Sequence, residues 1–219
     1  MPKRLNLPDT ASIALQAEGG RLFAPSAARN AEAIVTLASD QAPGSGRALE
    51  IASGTGQHIV ELASALPGLQ WQPTEIDAAR RVSIDNYVAQ SGLGNVSPAV
   101  ELDATSPGWG AQNGGQNFII LANLLHLISE TEARVLISEA AAALAPGGLL
   151  MIYGPFMRDD ELVSDGDKAF HASLTAQDPE IGYKSDFDVL DWGQSAWLDY
   201  VDMVEMPANN LSILWRKAA

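Results

Sequence analysis

The chain has 219 residues, 47% of them apolar, and carries 27 acidic against 13 basic side chains for a formal charge of −14. That length and apolar content suit one core and one domain, residues 1–219. The absence of cysteine excludes a disulfide framework, thiolate metal ligation and a cysteine nucleophile. Basic residues are few and scattered, with Lys3-Arg4, Arg80-Arg81 and Arg216-Lys217 as the local groups. A phosphate backbone calls for clustered Lys and Arg, so no nucleic-acid partner is expected. No run reaches the roughly 18–20 apolar residues of a membrane span, and the N-terminus lacks a continuous apolar stretch. The expectation is a cytoplasmic protein without a membrane partner; nothing in the sequence speaks to its oligomeric state.

In chain order, residues 1–24 show weak periodicity and read as an arm. "PSAARNAEAIVTLASD" predicts a helix with Ala31, Ile34, Leu37 and Ala38 on one face. Residues 1–40 together are expected to cover a pocket. "RALEIA" reads as a strand, "GQHIVELASAL" as a helix ended by Pro67-Gly68, "LQWQPT" as a second strand and "DAARRVSIDNYVAQSG" as a second helix. "VSPAVEL" predicts a third strand, which Pro98 pushes to a sheet edge. "NFIILAN" has the continuous apolar character of a buried central strand. "TEARVLISEAAAAL" predicts a helix and "LLMIYGPF" a fifth strand.

After a mixed segment with one helix, "SDFDVLDWGQSAW" reads as another helix. "LDYVDMVEM" and "NNLSILWRK" then read as an antiparallel pair joined by "PAN". Alternating strands and helices imply a three-layer α/β/α sandwich around a mostly parallel sheet.

The chemistry concentrates in "ALEIASGTGQHIVELA", where a glycine turn follows the first parallel strand. A phosphate-binding loop requires G-x-x-x-x-G-K-[ST], and no Lys-Ser or Lys-Thr stands there. A nicotinamide dinucleotide fingerprint requires G-x-G-x-x-G, but Gly54 and Gly56 are followed by Ile59 at the third position. S-adenosylmethionine (SAM) sites use an acid before the turn, E/D-x-x-x-G-x-G, and Glu50, Gly54 and Gly56 have that spacing, with Ala52 and Ser53 inside the turn. SAM carries a sulfonium and an ammonium, which favour carboxylates and backbone carbonyls. Glu50 can equally be a partner for local N–H groups.

A ribose diol is gripped by a carboxylate after the second strand, where "PTEID" offers Glu75 and Asp77, either of which can instead cap the next helix. After the third strand, Asp103 is placed to meet an adenine amine or to cap its own loop. Past the fourth and fifth strands stand Asn123, the candidate base His126, and Tyr153 and Phe156. Asn123 can meet the cofactor or satisfy loop backbone, and His126 can be a base or a packed residue. Arg29, Asn30, Asn209 and Asn210 complete the candidate acceptor site, with surface exposure or turn formation as the alternatives. His58, His126 and His171 are too far apart in the chain to suggest a metal site.

The strings "FAPSAARNAEAI", "EIASGTGQH", "WQPTEID", "ANLLHLIS", "PGGLLMIYGPF" and "EMPANNLSILWRK" together resemble the DUF938 family of class I SAM-dependent methyltransferase-like proteins. The resemblance runs from about Arg21 to Lys217. It implies a Rossmann-like methyltransferase fold with a seven-stranded sheet and a C-terminal antiparallel hairpin, with SAM as cofactor. Ala52 departs from the glycine common at that point of the class I turn. The expected activity is methyl transfer to a small-molecule acceptor. An NAD-dependent oxidoreductase and a SAM-binding or degenerate non-catalytic adaptor are the alternatives.

Overall fold

The structure, a computed structural model, describes residues 13–219; the start of the expected N-terminal arm lies outside the described residues. The described part of the arm is a small antiparallel ribbon of β1 (Leu15–Gln16) and β2 (Leu22–Phe23). α1 (Pro25–Gln41) follows, started by a proline in its first turn, where a missing N–H costs nothing. Then come β3 (Gly46–Ile51), α2 (Gln57–Ala65), β4 (Leu69–Pro73), α3 (Ala78–Ser91), the short α4 (Trp109–Gln112) and β5 (Gln116–Ala122). The chain continues with α5 (Glu130–Ala143), β6 (Leu144–Met157), α6 (Asp165–Gln177), β7 (Lys184–Ser185), α7 (Asp186–Ser195), β8 (Leu198–Met206) and β9 (Asn210–Lys217).

The main sheet has seven strands, ordered β4-β3-β5-β6-β9-β8, with β7 paired in parallel beside the end of β6. β3, β4, β5 and β6 run parallel, and β9 is antiparallel to both β6 and β8. This is the mostly parallel sheet with a C-terminal hairpin expected of a Rossmann-like methyltransferase fold. The fully buried run of β5 shows why the sheet is sandwiched. Ile119 and Leu121 face one core with α5 and α7, whereas Phe118 and Ile120 face the other with α1, α2 and α3. Four consecutive apolar residues can be buried only if both faces are covered.

The seventh strand is not the one the sequence predicts. Residues 96–102 make only two single bridges to the β4 edge, Trp71 with Val96 and Thr74 with Val100. Pro98 sits between them with no N–H to donate, and its carbonyl accepts instead from the Gln72 side chain at 2.8 Å. β7 takes the vacated count. It is two residues long, too short for any periodicity to announce it.

The N-terminal ribbon is held down by side chains of the central layers. The Leu22 N–H donates to Ser83 Oγ (2.7 Å), the Ala24 N–H to Gln57 Oε1 (2.6 Å) and Asn86 Nδ2 to the Gly20 carbonyl (3.1 Å). These bonds lay the ribbon and the start of α1 across the start of α2 and the middle of α3.

Candidate active site

A cavity of 380 Å³ opens at the carboxyl ends of β3, β4 and β5. In open parallel sheets this is where ligands bind, because the strand-to-helix turns point their loops and helix N-termini to one side. Its floor is the turn between β3 and α2, which reverses through three residues of positive φ: Ala52 (53°), Gly54 (61°) and Gly56 (96°). The two glycines do different jobs. A Cβ on Gly56 would lie 2.7 Å from Ile84 Cα, so this glycine lets α2 begin against α3. A Cβ on Gly54 would meet nothing closer than 3.9 Å. Gly54 borders the cavity, and its missing side chain leaves that approach open.

Glu75, after β4, is buried and clamps the turn. Its Oε2 accepts from the Gly54 N–H at 3.0 Å and its Oε1 from the Asp77 N–H at 3.1 Å. Each oxygen keeps a further lone pair for a ligand hydroxyl. Asp77 caps α3 by accepting from the Arg80 N–H at 3.0 Å, and it borders the cavity as well.

Asp103 also borders the cavity, but its carboxylate organises its own loop. Oδ1 accepts from the Thr105 N–H (3.0 Å) and hydroxyl (2.6 Å), and Oδ2 from the Ser106 hydroxyl (2.8 Å). Burial would raise its pKa, but these bonds outweigh burial and leave it below the usual carboxylate value.

Glu50, one residue before the end of β3, does not border the cavity; it lies beneath it, 3% exposed. Its Oε2 has no hydrogen-bond partner. Burial pushes its pKa up from 4.5 to about 8; the Ser53 hydroxyl beside it lowers the value and the Glu75 charge adds to the rise. In the free protein at neutral pH this carboxyl is therefore mostly protonated.

Ala52, Ser53 and Asn123 line the cavity, Asn123 in a left-handed conformation (φ 59°) with its N–H on the Tyr153 carbonyl at 2.9 Å. The remaining expected residues do not line it. His126 is buried in a single helical turn, its ring centroid 5.7 Å from Phe170 and 6.3 Å from Tyr183. Burial drives its pKa down to about 3, with Lys184 contributing in the same direction. The imidazole, walled in by aromatic rings, does not line the cavity where a base would meet an acceptor. Its surroundings make it a packing residue.

Arg29 is exposed on α1. Asn30 is buried, and its side chain meets His58 Nε2 at 2.8 Å and bonds the Tyr153 hydroxyl. Phe156 belongs to the core shared with α5 and α7. Asn209 stands in the turn between β8 and β9 and Asn210 opens β9, Asn209 Nδ2 donating to Asp167 Oδ2 at 3.1 Å and Asn210 Nδ2 to the Pro207 carbonyl at 2.9 Å. The acceptor residues read from the sequence are thus surface, core and turn residues. Among the described residues, no group of three or more His, Asp or Glu side chains is disposed to hold a metal ion.

The structure adds cavity residues that the sequence did not single out. Ile76, apolar yet 37% exposed between two acids, borders it, as do Leu102 and Ala104 on either side of Asp103. Leu124, Leu127 and Ile128 supply an apolar wall after β5, joined by Glu132, which closes a capping box with Ser129 at the start of α5. Ser26 and Ala27 line the side under α1, beside His58, which the sequence already placed in the first helical turn after the glycine loop. An apolar residue placed between two acids, at Ile76, was the one readable signal.

Residues 21–217 match the model described as "Protein of unknown function (DUF938)". The chain belongs to this DUF938 family. Among solved structures, it resembles an O-methyltransferase family protein from Burkholderia thailandensis at TM-score 0.75 and 18% identity, covering 86% of this chain and 56% of that one. A second is an O-methyltransferase family 2 protein from Planctomyces limnophilus in complex with apigenin, at TM-score 0.70 and 20% identity, with 88% and 60% covered. A third is human N-acetylserotonin methyltransferase in complex with SAM, at TM-score 0.72 and 17% identity, with 89% and 53% covered. At these identities the likeness shows the fold, and the DUF938 chain spans little more than half the length of those proteins.

Proposed function

We propose that this DUF938 protein is a SAM-dependent methyltransferase acting on a small-molecule acceptor. The observation that carries the reading is the Glu75 carboxylate, fixed by the Gly54 and Asp77 N–H groups beside a turn whose Gly54 offers no side chain to a ligand. Two accepting oxygens with spare lone pairs suit a ribose diol. Ile76, Leu102 and Ala104 supply apolar surface for a flat base, and Asp103 retains acceptor capacity at its edge. Carboxylates dominate the charged lining, which suits a cationic cofactor end and not a pyrophosphate. The solved neighbours bound to SAM or to S-adenosylhomocysteine support the same cofactor.

When bound, SAM supplies an electrophilic methyl group, and the protein's task is to align an acceptor with it and keep water away. Leu124, Leu127 and Ile128 form the water-excluding wall on the β5 side, and Glu132 offers the polar group there. No histidine in the site is set up to take a proton near neutral pH. Burial lowers the pKa of His58 to about 4, and His126 does not reach the cavity. Acceptors that reach the site already ionised, or that lose a proton to a carboxylate, fit this arrangement best.

The NAD alternative requires a glycine where Ile59 stands, and Ile59 is fully buried in the α2 core. Calorimetric titration with S-adenosylhomocysteine and with NAD tests the reading. Binding of the former and none of the latter is expected, and the reverse would refute it. No response to either would favour a non-catalytic adaptor.

A further inference from the structure

Glu50 is the buried group that the cofactor reading leaves unexplained. Its side chain stands on β3, two residues before the cavity-lining turn, with one carboxyl oxygen unpartnered and only 3% of its surface exposed. An ionised carboxylate does not persist in such a place without a counter-charge. Of the charged groups around it, Glu75 after β4 repels an ionised Glu50. Asp77, Arg80 on α3 and His58 on α2 stand at the same end of the sheet, and Tyr153 of β6 is bonded to Asn30. Arg80 lies beyond the far side of the turn, within 4.0 Å of a Cβ built on Gly54. No hydrogen bond from any of these reaches Glu50 Oε2. A cation held in the cavity above would reverse the balance.

We propose that Glu50 is a proton-releasing counter-ion, neutral in the free protein and ionised when a cationic cofactor occupies the cavity. This rests on the cofactor reading and deepens it. The event is an exchange of charge: the Glu50 O–H bond breaks, the proton leaves to solvent, and the carboxylate left beneath the turn would balance the positive charge of a cofactor held in the cavity above it. The weakened acidity of the free carboxyl sets the range in which the exchange is seen. As pH rises towards 8, apparent affinity for SAM climbs by up to about tenfold per pH unit, and above pH 8 it levels off.

The test is calorimetric titration of SAM into the full chain at pH 7 in buffers of different ionisation enthalpy. The wild-type protein is expected to release about one proton per SAM bound, falling towards zero above pH 9. Glu50→Gln should bind SAM without releasing it. Binding of SAM with no proton released, or equal release from Glu50→Gln, would overturn the linkage while leaving the cofactor reading intact. Absence of SAM binding in every buffer would overturn both. If Glu50→Gln does not fold, difference infrared spectroscopy of the wild type decides. Loss of the protonated-carboxyl carbonyl band on SAM addition supports the exchange, and an unchanged band overturns it.

Discussion

Replacing Gly56 with alanine would set a methyl group 2.7 Å from Ile84 Cα and 3.3 Å from Tyr87 Cδ2, at a residue held at φ 96°. The near neighbour is backbone of α3, so relief requires that helix to shift. A left-handed conformation costs a non-glycine residue about 1–2 kcal/mol, and overpacking adds about 1–3 kcal/mol. The sum, about 2–5 kcal/mol, lowers the melting temperature of a chain this size by roughly 5–15 °C. Gly54→Ala is the control on the same turn. Its φ of 61° carries the same conformational cost, but its Cβ meets nothing within 3.9 Å, so it loses only about 1–2 kcal/mol. Gly54→Leu, by contrast, reaches into the cavity and should weaken S-adenosylhomocysteine binding by roughly a hundredfold, the equivalent of about 3 kcal/mol. Scanning calorimetry of the two alanine variants, with a ligand titration of Gly54→Leu, reads all three effects. Equal destabilisation at both glycines, or wild-type affinity in Gly54→Leu, would refute the division of labour assigned to the turn.

Other perturbations follow from the same geometry. The Glu50 carboxyl has a folded-state pKa of about 8 against 4.5, so the native state holds a proton the unfolded chain has lost between those values. Stability of the free protein falls as pH rises from about 4.5 to about 8, by at most about 5 kcal/mol, and Glu50→Gln should flatten that fall in a melting-temperature profile. Asp103 has the opposite sign: its pKa lies below 3.8, so its contribution is present at neutral pH and lost as pH drops through the folded value. Asp103→Ala should cost about 1–2 kcal/mol at pH 7 and nothing in acid, measured by denaturant unfolding. His126→Ala should cost about 2–4 kcal/mol through lost packing against Phe170 and Tyr183 while leaving turnover within a few-fold. A collapse of turnover in a folded His126→Ala protein would restore it as a base.

What the sequence conveyed was what short-range patterns encode. The run Phe118 to Leu121 announces a strand buried on both faces, and the Glu50, Gly54, Gly56 spacing announces a turn that a ligand approaches, with Glu75 one strand away. These readings depend on neighbours within a few residues or on one repeat of the βα unit. The acceptor side failed for the complementary reason. His126 looks like a base until α6 and the segment after it bring Phe170 and Tyr183 around its ring. Asn30 looks like a surface residue of a covering helix until α1 packs it against His58 and Tyr153. Pro98 correctly marked a weak edge, but the sequence did not show that the whole strand would reduce to two bridges. Tertiary neighbours distant in the chain decided each case.

Methyl transfer itself is the direct test. The protein is incubated with SAM carrying a labelled methyl group and a cell extract separated into low-mass and macromolecular fractions. Label is expected in the low-mass fraction and is abolished by Gly54→Leu. Label confined to protein or nucleic acid, or transfer unaffected by Gly54→Leu, would contradict the proposed function.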